Sequence, residues 1–416
     1  MNVARSKVAR RGMMVLMVLG GVVSALGQSG NNPLSPVDRY DYIASTQVIG
    51  AFHQLTPPAD PGLVEGARQV LGMGTNIIKF AITPRYTDYG YAKTHDPKIT
   101  SLTQLAQEPM YKQIFNMPFA HYVMWTYAFS TDHHIFPFHG HIRKEVLDDE
   151  YREMYEFTKY LLTTYNGTGK SFYLGNWEGD WHLIEGTPPA KNKWEIEPNS
   201  DAPEGMIEWL TTRQKAIDGA KRDTPHKDVQ VWFYVETNLV QKSIKEGRVS
   251  VASAVLPFVN PDFVSYSSYD STNPDKDMHH DLPIALDYMQ SKLKPKPGLP
   301  EKRVFVGEYT SLASTLGAEQ QNTRMRDVIA TSVKWGTPFV LYWELYNNVV
   351  RIDGSVEGCW LIDNNGVKQP AYFTYRNFDK DARSYVAVTY EKTGKTPSTA
   401  DFQAFTSKWF TATVKP

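Results

Sequence analysis

Cysteine is almost missing from this chain. Cys359 is the only one in 416 residues, so no disulfide can form within the chain. A chain of this length must then hold together by its core, and it is long enough to bury a large one. Long apolar runs are scarce too: beyond the N-terminal segment none is long enough to span a bilayer. Net charge is close to absent at −1, which argues against a nucleic-acid or anionic-membrane partner. The sequence carries no short-period repeat and no low-complexity tract.

The N-terminus departs from this even pattern. Arg5, Lys7, Arg10 and Arg11 precede the apolar run Gly12–Leu26, and Ala25 and Gly27 are small residues at the −3 and −1 sites. This is the pattern of an export signal cleaved before Gln28, which predicts a secreted or periplasmic protein without stable membrane insertion. Removing residues 1–27 takes away four positive charges and no negative ones, moving the net charge from −1 to −5. Residues 28–37 are polar and rich in Pro and Gly, as in a disordered lead, and residues 38–416 read as one domain. Aromatics make up 13% of the chain, with ten Trp, which fits a sugar-handling surface as well as a large core.

Eight short apolar segments alternate with helical patterns. The predicted strands are Gln47–Phe52, Asn76–Ile82, Tyr122–Phe129, Ser171–Trp181, Val229–Val235, Phe263–Tyr269, Arg303–Gly307 and Pro338–Tyr342. Predicted helices include Pro61–Leu71, Leu102–Phe115, Asp148–Tyr165, Pro203–Arg222, Leu282–Leu293 and Ala318–Trp335. Several strands are apolar throughout, as in a parallel sheet buried on both faces. Eight βα units in one chain predict an α/β fold, a (β/α)8 TIM barrel, with a C-terminal helical extension after Asp363. A doubly wound sheet would usually carry a Gly-rich phosphate turn after its first strand, and none follows Phe52.

What ends the strands points to chemistry. His53, Thr83, Asp132, Glu178 with Asp180, Glu236, Asp270, Glu308, and Trp343 with Glu344 all fall at one rim of such a barrel, the rim that carries active sites. The fourth strand runs into Asn176-Trp177-Glu178-Gly179-Asp180-Trp181. A continued pleat would put Asn176, Glu178 and Asp180 on one side and Trp177 and Trp181 on the other. Two carboxyl groups in different environments can serve as proton donor and as nucleophile or base.

The motifs extend this reading. Val306-Gly307-Glu308-Tyr309 closes the seventh strand, Tyr342-Trp343 the eighth, and Gly358-Cys359-Trp360-Leu361-Ile362-Asp363-Asn364-Asn365-Gly366-Val367-Lys368-Gln369-Pro370-Ala371-Tyr372 follows. Together they resemble the retaining glycoside hydrolases of the large (β/α)8 clan that holds β-mannanases, endoglucanases and β-galactosidases. The resemblance implies Glu178 as acid/base, Glu308 as nucleophile and Trp343 as the platform for a sugar. Tyr266 or Tyr269 resembles the Tyr that hydrogen-bonds the nucleophile. Asn176, Asp180, Trp177, Tyr309 and His53 complete the expected substrate contacts. In the clan the Asn directly precedes the Glu, whereas Trp177 intervenes here, and this leaves Asp180 open as the acid. Lys79 and Arg85 are candidates for the clan's strand-two Arg.

The expected partner is an oligo- or polysaccharide, with no cofactor and no metal; the oligomeric state is open. Two other readings exist. His139-Gly140-His141, with His133, His134, His279 and His280, would suit a metal-dependent hydrolase on the same barrel. A non-catalytic carbohydrate-binding protein would keep the aromatics and dispense with the acids.

Overall fold

The computed structural model describes residues 32–50, 60–131, 135–184, 195–349, 351 and 353–412. The expected export signal, His53, Asp132, His133 and His134 lie outside the described residues. Of the expected disordered lead, residues 32–37 are held against the body: Leu34 N donates to Thr168 O at 2.9 Å and Tyr42 Oη to Val37 O at 2.9 Å.

Eight strands form one sheet: β1 Ala44–Thr46, β2 Ile77–Ile82, β3 His121–Thr126, β4 Lys170–Gly175, β5 Val229–Thr237, β6 Phe263–Ser267, β7 Val304–Glu308 and β8 Val340–Tyr342. From β2 to β8 each pairs in parallel with the next, and β8 pairs with β1. A parallel bridge between Gln47 and Lys79 joins the two edges and closes a (β/α)8 barrel. Helices Gly62–Met73, Lys144–Thr164, Ala202–Asp223, Met278–Gln290 and Ala318–Trp335 are among those that cover it, and Pro370–Thr393 and Thr399–Thr411 form the C-terminal extension. No helix among the described residues is long and apolar enough to cross a membrane.

Strands β2 and β3 are buried along their whole length, which explains their unbroken apolar character. The first strand forms earlier than its hydrophobic run predicts. The ladder uses Ala44, Ser45 and Thr46, whose hydroxyls tie the closure: Ser45 Oγ donates to Ile77 O at 2.7 Å and Thr46 Oγ1 to Tyr342 O at 2.9 Å. Gly50 then takes φ 71°, a left-handed turn that ends the extended run. The predicted helix Leu102–Phe115 is two, Leu102–Ala106 and Pro109–Asn116, because Pro109 starts a new first turn.

The two ends of the barrel are chemically opposite. At the N-terminal end an aromatic layer fills the lumen: Phe339 meets Tyr173 at 5.1 Å, Phe305 at 5.5 Å and His121 at 5.6 Å between ring centroids. At the C-terminal end the lumen holds Lys79, Glu236 and Glu308, all buried.

His121 sits in the aromatic layer, and burial lowers its pKa from 6.5 to about 4. The unfolded chain therefore binds a proton that the folded one refuses as pH falls from 6.5 towards 4, and stability drops through that window. We expect His121→Phe to remove about 2 kcal/mol of the stability difference between pH 7 and pH 4.5 in urea unfolding. An equal pH dependence in both proteins would refute this.

Candidate active site

Strand β4 delivers Glu178 but not by a continued pleat. The strand ends at Gly175, Glu178 leaves the extended conformation with φ 18° and ψ 70°, and Gly179–His182 forms a 3-10 turn. The turn brings Trp181 round to the acid rather than away from it, and Trp181 Nε1 donates to Glu178 Oε2 at 2.6 Å. Glu178 is buried, and its backbone N–H donates to Glu236 Oε1 at 3.1 Å.

Glu308 is the last residue of β7 and is 2% exposed. Lys79 Nζ donates to its Oε1 at 3.2 Å, and Tyr269 Oη to its Oε2 at 3.1 Å. Burial raises its pKa well above the usual glutamate value. Lys79 pulls it down, and the charges of Glu236 and Glu178 push it up again. The Tyr269 phenol is itself raised by burial and by Glu308 and Glu178, so it stays a donor. Of the two tyrosines expected beside the nucleophile, Tyr266 turns elsewhere: its Oη lies against Asp270 and, at 2.6 Å, Ser271 Oγ. Strand β6 ends at Ser267 and Tyr269 opens a short helical turn, which swings it over the strand ends.

Three further residues expected at the substrate have partners within the protein. Asn176 Nδ2 donates to Glu236 O at 3.1 Å and to Trp177 O at 3.2 Å, while its Oδ1 accepts from Glu236 N at 3.2 Å. Its amide bridges to the backbone of β5. Asp180, left open above as the acid, is buried beside the end of β5. Its carboxylate accepts from Thr237 Oγ1 at 2.7 Å, Asn238 N at 2.8 Å, Leu239 N at 3.2 Å and Val251 N at 2.7 Å, tying down the β5 loop. Tyr309 points out of the barrel and shares a hydrogen bond with Tyr375 Oη at 3.0 Å. His53 lies outside the described residues.

Three indoles gather at the same rim. Trp343, half-buried, lies 5.9 Å from Trp125 at an interplanar angle of 30°, and Trp177, 36% exposed, meets Trp125 at 6.2 Å. Such rings offer flat apolar faces. A cavity of about 810 Å³ is lined by Asp60, Tyr86, Tyr89, Lys93 and Glu108 among others, and among the described residues none of the acids at the strand ends lines it.

Among the described residues the histidines do not converge. His141 bonds to Glu208 at 2.5 Å on the surface, His139 meets Asn199 at 3.4 Å, and His279 and His280 face Thr331 and Asp281. Among the described residues no three His, Cys, Asp or Glu side chains are grouped to hold a metal ion.

Sequence reasoning missed the role of Glu236 and of Ser265. Glu236 was visible only as a strand-end acid. The signal was Lys79, one charge inside the buried segment Ile77–Ile82, which demands a buried partner. Gly307 belongs to the same cluster: a Cβ there would lie 1.8 Å from Ser265 Oγ and 3.1 Å from Glu236 Oε2.

No known family model matches this chain, and no curated protein is similar to it in sequence. Solved structures do match in fold. A GH5_18 from Bifidobacterium longum subsp. infantis superposes with a TM-score of 0.51 at 14% identity, over 81% of this chain and 78% of that one. GH5_18-E153A from Streptomyces cattleya, in complex with Manb1-4GlcNAc, gives 0.51 at 13%, over 86% and 82%. A family 5 xyloglucanase from Paenibacillus pabuli gives 0.50 at 12%, over 83% and 99%. The likeness is one of fold, a (β/α)8 barrel.

Asp180→Ala would leave three backbone N–H groups and a hydroxyl without their acceptor. We expect it to cost about 3 kcal/mol in urea unfolding; an unchanged midpoint would show that the carboxylate is not a structural tie.

Proposed function

We propose that this protein is an exported glycosidase that hydrolyses O-glycosidic bonds of an oligo- or polysaccharide with retention of configuration. The observation that carries the reading is the pair of buried acids, Glu178 after β4 and Glu308 ending β7, in unlike surroundings on the functional rim of the barrel. The likeness to glycoside-hydrolase structures supports it.

The proposed reaction has two displacements. Glu308, ionised, attacks the anomeric carbon while Glu178 gives its proton to the leaving oxygen. Glu178, now a carboxylate, takes a proton from water, which attacks the glycosyl–Glu308 ester and releases the sugar. Only water is consumed, so no cofactor is required. Lys79 and Tyr269 hold the Glu308 carboxylate from two sides, one donor on each oxygen. Trp181 orients Glu178 through its indole N–H. Trp343 is the platform for the sugar ring at the cleavage point, and Trp177 extends the apolar surface outward. The N-terminal basic and apolar segment is the export signal.

The first substrates to try are β-1,4-linked, since one structure of similar fold holds Manb1-4GlcNAc. With an aryl glycoside of the sugar that is turned over, Glu308→Gln should lose about 10⁴-fold or more in kcat. Glu178→Ala should be revived by azide, giving a glycosyl azide of the starting configuration. A first-formed sugar of inverted configuration by NMR would refute retention. Binding without turnover, equal in wild type and Glu308→Gln, would refute catalysis.

The raised pKa of Glu308 sets a pH limit. Because the nucleophile acts as its anion, kcat/KM should fall as pH drops through a midpoint above about 4.3, the ordinary glutamate value. A rate unchanged down to pH 4 would contradict the buried setting of this acid.

A further inference from the structure

One ammonium group serves two carboxylates in the lumen. Lys79 Nζ donates to Glu236 Oε2 at 2.8 Å, to Gly307 O at 3.0 Å and to Glu308 Oε1 at 3.2 Å, which uses all three of its protons. The side chains of Lys79 and Glu236 have no solvent exposure, and that of Glu308 has 2%. Water therefore cannot take over either contact, and the two acids compete for the cation.

They compete on unequal terms. Glu236 also accepts from Ser265 Oγ at 2.6 Å, Trp125 Nε1 at 3.2 Å and Glu178 N at 3.1 Å, so with Lys79 it has four donors. Glu308 accepts from Lys79 and Tyr269. The Lys79 ammonium also lies 4.8 Å from the centre of the Trp125 ring, so the indole that bonds Glu236 also packs on its partner.

We propose that Glu236 is a positioning residue of the site: it fixes Lys79 and the Glu178 backbone in one hydrogen-bonded unit, and by holding the shared ammonium it sets how much of that charge reaches Glu308. The proposal rests on the reading of Glu308 as nucleophile. It adds a residue from β5, a strand that supplies neither of the two acids. Glu236 touches no reacting atom; it acts through Lys79 and through the peptide of Glu178.

The other ionisable groups that feel the charge of Glu308 are Glu178 after β4, Tyr234 on β5, Tyr269 after β6 and Glu344 after β8. Glu236 is the one that also binds Lys79. Its removal and the removal of Lys79 should therefore move Glu308 in opposite directions. Without the Glu236 charge, Lys79 belongs to Glu308 alone and the carboxylate is easier to form. Without Lys79, Glu308 faces Glu236 and Glu178 unscreened and is harder to ionise.

The test titrates Glu308 directly, in full-length protein carrying ¹³C at the glutamate carboxyls, with its signal identified by loss in Glu308→Gln. Glu236→Gln should lower the Glu308 midpoint by about one pH unit or more, and Lys79→Met should raise it by a similar amount. Shifts of the same sign, or none, overturn the proposal. If a single variant leaves a buried charge unpaired and does not fold, the double variant Lys79→Met/Glu236→Gln removes both charges together. There the midpoint should rise, because the charge in contact with Glu308 is the cation, and an unmoved midpoint overturns the proposal. The measurement needs no substrate, so it stands apart from the glycosidase reading. An acid limb of kcat/KM that follows the NMR midpoint ties Glu236 to the reaction. A limb that stays put while the midpoint moves overturns Glu308 as nucleophile and leaves the shared ammonium intact.

Discussion

A lysine ammonium cannot sit in a dry barrel without anionic partners, and Lys79 sits there with no exposure to water. That constraint organises the C-terminal half of the lumen. Glu236 and Glu308 supply the charge, Gly307 supplies a carbonyl, and Trp125 supplies a ring beside the cation. Breaking a buried pair by removing one partner typically costs about 3–5 kcal/mol, more than most core substitutions. The cluster is thus a structural commitment as well as a chemical one. The cation beside Glu308 is held by Glu236, which also accepts from the backbone N–H of Glu178.

The barrel separates two tasks along its axis. Phe339, Tyr173, Phe305 and His121 fill the N-terminal end with rings in contact. The other end adds charge to its rings, and burial raises Glu308 and Glu344 there. The same low-dielectric surroundings give the acids unlike properties. Glu308 lies at the end of a regular strand, between a cation and a phenol. Glu178 lies beyond its strand, on the turn into a 3-10 segment, with an indole N–H on its carboxylate. Two carboxyls on one rim can divide donor and nucleophile roles when their donors differ, here a lysine and a phenol on Glu308 and an indole N–H on Glu178.

The architecture was legible in the sequence because periodicity survives in buried strands. Apolar runs such as Ile77–Ile82 located seven of the eight strands, and the acids followed from the strand ends. The eighth, β1, escaped because its ladder uses Ala44, Ser45 and Thr46, small residues of which the last two bond across the seam through their hydroxyls. The fine geometry escaped for another reason. A two-residue period is valid only while the strand lasts, and β4 and β6 both stop short of the residues of interest. Past Gly175 the pleat no longer says which way Asp180 or Trp181 faces, and past Ser267 it no longer separates Tyr266 from Tyr269. Hydrogen-bond donors decide instead: Asp180 is drawn to the backbone of the β5 loop.

Strand β5 shows how a residue without a motif can govern a site. The glycines beside the two acids make sense only in relation to it. A Cβ on Gly175 would fall 2.4 Å from the Tyr234 ring, and one on Gly179 would fall 2.7 Å from Glu236 O. One on Gly307 would fall 3.1 Å from Glu236 Oε2 and 1.8 Å from Ser265 Oγ. Three glycines, on β4 and its turn and on β7, thus leave room for β5 and β6 to approach. A side chain at any of them would push Glu178 or Glu308 away from the cluster. Gly307 before Glu308 is therefore a steric requirement set first by Ser265 on the neighbouring strand, whose hydroxyl donates to Glu236.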